Sequence, residues 1–410
     1  VMAKKARSFP KNKVWIDPCS GVGNLSFWLI QCQEKKEDFL KHNIFLVDRD
    51  ALALFIARFI LAINFQKTDP RLFENIKSRF VVADFLFSQD VPKHDYAILN
   101  PQYVGVEPDE RFETASARDL YAYFLERVIK TSTGFVSITP QTFTNGQKFN
   151  PLRKLLIDNF NNIDVYCFDN VPDNIFRGIK FGSKNTNTAN STRAGIIVAQ
   201  HGGKKQVFRI TPLLRWRVSE RQKFLNSINS FLGEITPKVD IFPKLQKDLL
   251  PLYNFANGQG KTLAHFLSPR PTQYQLIVPS TPRYFISALK RSVDRSSFRT
   301  LYFYNEKERD IAYLLLNSSY MYWWWRVNDG GMTISEKTLL TLPIINGIPM
   351  SKNLLLKIER SEQTNCVVKR NAGKDNENVK HDASLVQELN TYLFPRFANA
   401  LRMLHSNSVM

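Results

Sequence analysis

The sequence predicts an α/β protein whose first half is built on a largely parallel sheet, and three observations carry that reading. Apolar runs at 14–17, 44–48, 80–83 and 96–99 alternate with stretches of helical periodicity. The first three end on an acid, Asp17, Asp48 and Asp84, and the fourth runs into Asn100. Two glycines with Gly-x-Gly spacing, Gly21 and Gly23, follow the first run. In a parallel sheet those four ends share the carboxyl edge, where ligands bind.

Taken in order, residues 14–25 read as a strand, a tight glycine turn and the start of a helix. Glycine lets backbone amides approach a ligand closely at such a turn, although a plain structural turn has the same pattern. Residues 24–40 are expected as a helix and 44–48 as a strand. A carboxylate at that strand's tip, Asp48, can accept two hydrogen bonds, as needed for ribose hydroxyls. The helix at 50–65 is apolar on most faces, as expected of one packed on a sheet. Residues 104–118 lack a period and read as a mobile flap. A helix follows at 119–130, with Leu120, Phe124, Leu125 and Val128 on one stripe and Tyr121 and Tyr123 as packing residues. Strands are expected at 133–140, 163–168 and 194–199, with a helix at 152–160 between the first two. That makes seven strands.

The order Asp-Pro-x-x-Gly-x-Gly, strand-Asp, Ala-Asp-Phe and Asn-Pro-x-Tyr resembles the gamma-order S-adenosylmethionine-dependent adenine-N6 DNA methyltransferases of restriction–modification type. The resemblance covers residues 14–200 best and the rest more loosely. It implies a Rossmann-like seven-stranded sheet with an antiparallel last strand, followed by a C-terminal mixed α/β target recognition domain. By position it assigns Asp17, Pro18, Gly21 and Gly23 to the methionine moiety of the cofactor and Asp48 to its ribose. It assigns Asp84 and Phe85 to the cofactor's adenine. Asn100, Pro101 and Tyr103 become the catalytic set. The Asn100 side-chain oxygen and the Pro101 carbonyl would bond both amino hydrogens of a flipped adenine, leaving its nitrogen lone pair free for the methyl group. Tyr103 would stack on the extruded ring.

One position departs from the pattern: Gln102 stands where the family has a second proline. Glutamine restores an N–H and loosens the loop, so reduced activity, or binding without catalysis, is an open reading. Gln102 is also a candidate to touch the base. Residues 1–13 are too short to supply the family's helical segment before the glycine loop fully, so either the chain is truncated or a partner or the C-terminal region completes that wall. A partner subunit or a homodimer is the expectation for partners besides DNA.

Asn174-Ile175-Phe176-Arg177-Gly178-Ile179-Lys180 resembles a late family motif, so Phe176 and Lys180 are candidates for the base pocket, with a hydrophobic plug as the other reading of Phe176. The loop at 182–192 is polar and of low complexity. The catalytic domain is expected over 1–203 and the recognition domain over 204–410. Within the latter, residues 206–210 read as a strand and 220–232 as a helix. Gly258-Gln259-Gly260-Lys261-Thr262 lacks the first glycine of a phosphate loop, which excludes ATP binding there. Arg283, Lys290, Arg291, Arg295 and Arg299, interleaved with aromatic residues, suit DNA backbone contact; a solvated face would carry the same charges. Residues 311–344 resemble the closing helix and Leu-Pro-Ile turn of target recognition domains, with Trp323, Trp324 and Trp325 as core. Residues 362–382 read as a linker and 385–404 as a helix.

Composition sets the outer limits. Fifty-six Lys and Arg against 37 Asp and Glu give a net charge of +19, which suits a polyanion such as double-stranded DNA, although a lysine-rich proteome would give the same excess. Four cysteines without metal-like spacing predict reduced thiols, no metal and a cytoplasmic setting. No apolar run approaches ~20 residues, so no membrane span is expected. The reading is a sequence-specific adenine-N6 DNA methyltransferase. An RNA adenine-N6 methyltransferase, exocyclic cytosine transfer, or a catalytically impaired DNA-binding subunit needing a partner chain are the alternatives.

Overall fold

The computed structural model describes residues 1–170, 172–175, 192–203, 205–282, 285–329, 333–371 and 374–406. It divides into two compact units. The first is Val1–Leu214 with Val218–Pro243, the second Arg215–Arg217 with Lys244–Met410.

The first unit carries a nine-stranded sheet. Its strands are β1 (Trp15–Asp17), β2 (Ile44–Asp48), β3 (Phe80–Val82), β4 (Tyr96–Leu99), β5 (Gly134–Pro140), β6 (Asn162–Phe168), β7 (Ala194–Gln200), β8 (Val207–Leu214) and β9 (Gly233–Glu234). The spatial order is β3-β2-β1-β4-β5-β7-β6-β8-β9. The first five strands in that order are mutually parallel, and β7 runs antiparallel to both neighbours. This is the Rossmann-like methyltransferase order, with the antiparallel strand where the resemblance put it. The expected count of seven is corrected to nine: β8 pairs in parallel with β6, and β9 closes the edge against β8. The strand at 207–214 therefore belongs to the first sheet, and the first compact unit extends well past residue 203. Alternating apolar positions of β8 such as Phe208 and Ile210 join the main core, which is why it completes this sheet.

Helices flank the sheet: α1 (Met2–Ala6), α2 (Asn24–Gln31), α3 (Lys36–His42), α4 (Ala51–Phe65), α5 (Leu72–Asn75), α6 (Leu120–Thr131), α7 (Asn150–Asn159) and α8 (Arg221–Ser227). The single helix expected at 24–40 is broken into α2 and α3 by the polar run at 32–35. Asp50 caps α4, accepting from the Leu52 and Ala53 amides. The core joins Leu99, Phe135, Ile163 and Ile197 of the sheet to Tyr121, Leu125, Val128, Leu152 and Leu156 of α6 and α7. The Arg153 guanidinium, with no exposed surface, donates to the carbonyls of Phe143, Gly146, Val239 and Asp240. It thereby fastens the chain at 239–240 to this core.

The second unit contains α9 (Leu250–Asn257), β10 (Gln275–Pro279), β11 (Phe298–Tyr302), α10 (Glu306–Asn317), α11 (Ser319–Asn328), α12 (Glu336–Leu340), α13 (Lys352–Thr364), β12 (Cys366–Asn371), β13 (Lys374–Val379), α14 (Ala383–Leu393) and α15 (Ala398–Ser406). Strands β10 and β11 form one antiparallel pair, β12 and β13 another. Trp323, Trp324 and Trp325 on α11 are all buried, as core. The linker expected at 362–382 is instead the end of α13 and a paired hairpin. Its run Cys366-Val367-Val368 has strand propensity that the surrounding charges hide. Among the described residues no helix is long and apolar enough to cross a membrane.

Candidate active site at the carboxyl edge of the sheet

Parallel pairing of β1, β2, β3 and β4 brings Asp17, Asp48, Asp84 and Asn100 to one edge of the sheet. The register makes this explicit, with Asp17 opposite Leu46 and Asp48 opposite Val82. Between β1 and α2 the chain turns through two left-handed glycines, Gly21 (φ 50°) and Gly23 (φ 77°). A side chain at Gly23 would sit 3.1 Å from Ala57 Cβ on α4, whereas Gly21 faces open space. The Gly21 amide donates to Asp48 Oδ2 at 2.8 Å, tying the turn to the tip of β2.

Asp17 is buried. Ser26 Oγ donates to its Oδ2 at 2.8 Å, and its Oδ1 has no hydrogen-bond partner. Burial pushes its carboxyl up to about 7, against the Ser26 bond that favours the charged form; the Asp48 charge pushes it further up. A buried carboxylate with an idle oxygen beside a glycine turn is suited to a cationic group.

Pro18, Cys19, Asp48, Asp84, Phe85 and Gln102 line a cleft of about 260 Å³. Its further wall is Val106, Glu107 and Asp109 with Leu120, Tyr123 and Phe124. The segment expected as a mobile flap thus walls this cleft, and hydrogen bonds hold it. Val104 O accepts from Leu120 N (3.0 Å), and the Glu126 carboxylate accepts from the Glu113 and Thr114 amides (3.0 and 2.8 Å). Asp84 accepts from the Leu86 amide and lies 3.6 Å from Arg49 Nη1. Phe85, assigned by resemblance to the cofactor's adenine, is stacked on Phe124, with ring centroids 5.9 Å apart, and is almost fully buried. Arg49 and Phe124 were missed from the sequence. The first directly follows Asp48, and the second lies on the apolar stripe of its helix.

The Asn100-Pro101-Gln102-Tyr103 loop leaves β4 beside the glycine turn. Burial pushes the Cys19 thiol well up, with the Asn100 amide acting in the opposite direction. Tyr103 Oη is 2.6 Å from Asn100 Oδ1 and 3.0 Å from the Ile138 carbonyl of β5, and its ring meets Tyr121 edge-on at 6.4 Å. Burial raises the Tyr103 phenol, so it stays protonated and donates. Asn100 and Gln102 are exposed.

The basic residues proposed for DNA contact have other partners. Lys290 pairs with Asp310 and Glu359 (2.9 and 2.7 Å), Arg291 with Glu377 (3.4 Å) and Arg299 with Glu336 (3.0 Å). Arg295 donates to Ser297 O and Asn378 Oδ1. Carboxylates distant in sequence neutralise charges that look free in a linear reading. Phe176, Lys180 and Arg283 lie outside the described residues.

Strand order and edge together define a Rossmann-like methyltransferase fold with an Asn-Pro-x-Tyr loop beside its glycine turn. Residues 42–176 match the profile of a family described as Eco57I restriction-modification methylase, which bears out the resemblance. Type II methyltransferase M.PstI of Providencia stuartii is 26% identical over 190 residues, 40% of this chain and 36% of that protein. The match thus spans little more than a third of that relative. Among solved structures, the DrdV–DNA complex aligns at 16% identity and TM-score 0.42, over 56% of this chain and 28% of that one. A nuclease-deletion mutant of the Type ISP restriction-modification enzyme LlaGI, with a DNA substrate mimic, aligns at 14% and 0.42, over 66% and 31%. Likeness at that distance carries nothing about chemistry.

Proposed function

We propose that this chain is the methyltransferase portion of a restriction–modification system, acting with S-adenosylmethionine on the N6 amino group of adenine in double-stranded DNA. The observation that carries this is that the glycine turn and the Asn100 loop meet at one cleft, with Pro18 and Cys19 from the turn and Gln102 from the loop lining it beside Asp48 and Asp84. In this reading the first unit is catalytic and the second reads the DNA.

The cradle suits such a cofactor: a partnerless Asp17 oxygen beside the turn for a cationic group, space above Gly21, and Asp48 and Asp84 on the wall of one cleft. When bound, S-adenosylmethionine supplies an electrophilic methyl group. The chain's own residues do the rest. Asn100 Oδ1 and Pro101 O accept the two amino hydrogens, drawing nitrogen lone-pair density out of the ring and toward the methyl group, and Tyr103 stacks on the base. The Ile138 carbonyl gives the Tyr103 hydroxyl a second acceptor, so it can release Asn100 Oδ1 as the base arrives.

Expression in a methylation-free host, with sequencing that detects modified bases, tests this. Modified adenines at a defined site, lost on Asn100→Ala, are the expected result. Modified cytosine or modified RNA would redirect it. Exposed Gln102 on the cleft wall motivates a second reading, impaired catalysis with intact binding. A strong rise in methyl transfer on Gln102→Pro would favour that second reading.

A further inference from the structure

A helix that is apolar all round belongs in an interior, and α4 is one. Leu54, Ala57, Leu61, Ala62 and Phe65 are buried within the first unit. The opposite face carries Leu52, Phe55, Ile56, Phe59, Ile60 and Ile63, which are between 37% and 66% exposed. Their spacing is i, i+3, i+4, i+7, i+8, i+11, one continuous stripe along the whole helix. Arg58, the one ionisable residue within α4, lies at the stripe's flank with its guanidinium 4.0 Å from the centre of the Phe73 ring. Phe73 also meets Phe55 and Phe59 edge-on, at 5.9 and 6.3 Å, and widens the patch.

We propose that this face is the interface between two copies of the chain, with the α4 helices packed against each other across a two-fold axis. Area supports it. Six large side chains this exposed present on the order of 600 Å² of apolar surface, well above the scatter of single exposed residues and most of the ~800 Å² per partner of a standard stable interface. Shape supports it too. A single row of large residues at helical spacing offers ridges and grooves that match their own copy, as a two-fold contact requires. Two such stripes meet without taking an unpaired carboxylate or ammonium out of water.

The net charge of +19 opposes association of two copies, and salt screens that repulsion while leaving apolar contact intact. The pairing therefore tightens as salt rises, the reverse of a charge-driven contact.

Sedimentation velocity on nuclease-treated full chain, from 1 to 50 µM and at 50 and 500 mM salt, tests the proposal. Expected are a dimer whose dissociation constant falls at the higher salt, and a monomer on combined Phe59→Glu and Ile60→Lys. Both positions are exposed, so the variant keeps the parent's circular dichroism and thermal midpoint. A wild-type monomer throughout, a dimer that dissolves at 500 mM salt, or a dimer indifferent to the double substitution would each overturn it. So would a monomer that dimerises only when nuclease is omitted.

Discussion

At the scale of single residues, the proposed chemistry rests on Asn100 and the proposed cofactor cradle on Asp17. With its side-chain oxygen engaged by Tyr103 at 2.6 Å, Asn100 is already held in an accepting pose. Asn100→Ala is expected to lower methyl transfer by roughly 10²–10³-fold, the usual cost of losing one preorganised polar contact to a transition state. Binding of S-adenosylhomocysteine, measured by calorimetry, should be unchanged. Tyr103→Phe keeps the ring and frees the Asn100 oxygen, so it should cost far less than Asn100→Ala. Equal losses would mean that the hydroxyl holds Asn100 in its working rotamer. For Asp17 the folded carboxyl sits at about 7, raised by burial from 3.8. A raised acid keeps its full contribution below its unfolded value, and ionisation costs the folded state progressively from about pH 4 to pH 7. Asp17→Asn should remove that part of the decline in thermal midpoint and destroy cofactor binding. If the parent and Asp17→Asn share one pH profile of stability, the buried-acid account fails.

Among elements, the glycine turn and the charged strands make opposite points about legibility. Gly21 and Gly23 stand out in the sequence as a turn, yet only coordinates separate their duties. Gly23→Ala meets both a left-handed φ and Ala57 Cβ at 3.1 Å. It should cost about 2–3 kcal/mol by urea unfolding, and Gly21→Ala, strained but unobstructed, about 1 kcal/mol. Four strand ends were legible because each couples a short apolar run to an acid or amide, a local signal. The eighth strand joined the sheet through pairing with β6, a contact 45 residues away in the chain for Arg209 and Asp164, and the ninth through pairing with β8, and no local pattern encodes that. The same limit explains Lys290. Its carboxylate partners, Asp310 and Glu359, lie on α10 and α13, so a linear reading sees only the cation. Lys290→Met should therefore destabilise the protein by about 1–2 kcal/mol, because Glu359 loses this partner and Asp310 is left with Arg309, and should leave DNA affinity nearly unchanged.

For the whole molecule, the +19 charge frames how it would hold a polyanion. Each phosphate neutralised releases counterions, and six or more contacts would cost roughly 10³-fold in affinity between 50 and 200 mM salt. A steep slope of that kind is expected for duplex DNA. Which cations produce it follows from the pairing described above. A lysine or arginine already bound to a carboxylate must break that bond to take up a phosphate, so its net gain is small. The combined substitution of Arg291 and Arg299 by glutamine should therefore leave the salt slope of DNA binding within about one contact of the parent, even though two positive charges are gone. Fluorescence anisotropy of a labelled duplex across that salt range measures it. A slope reduced by two would show that these side chains leave Glu377 and Glu336 for DNA, and would restore the reading of this stretch as a phosphate-contacting surface.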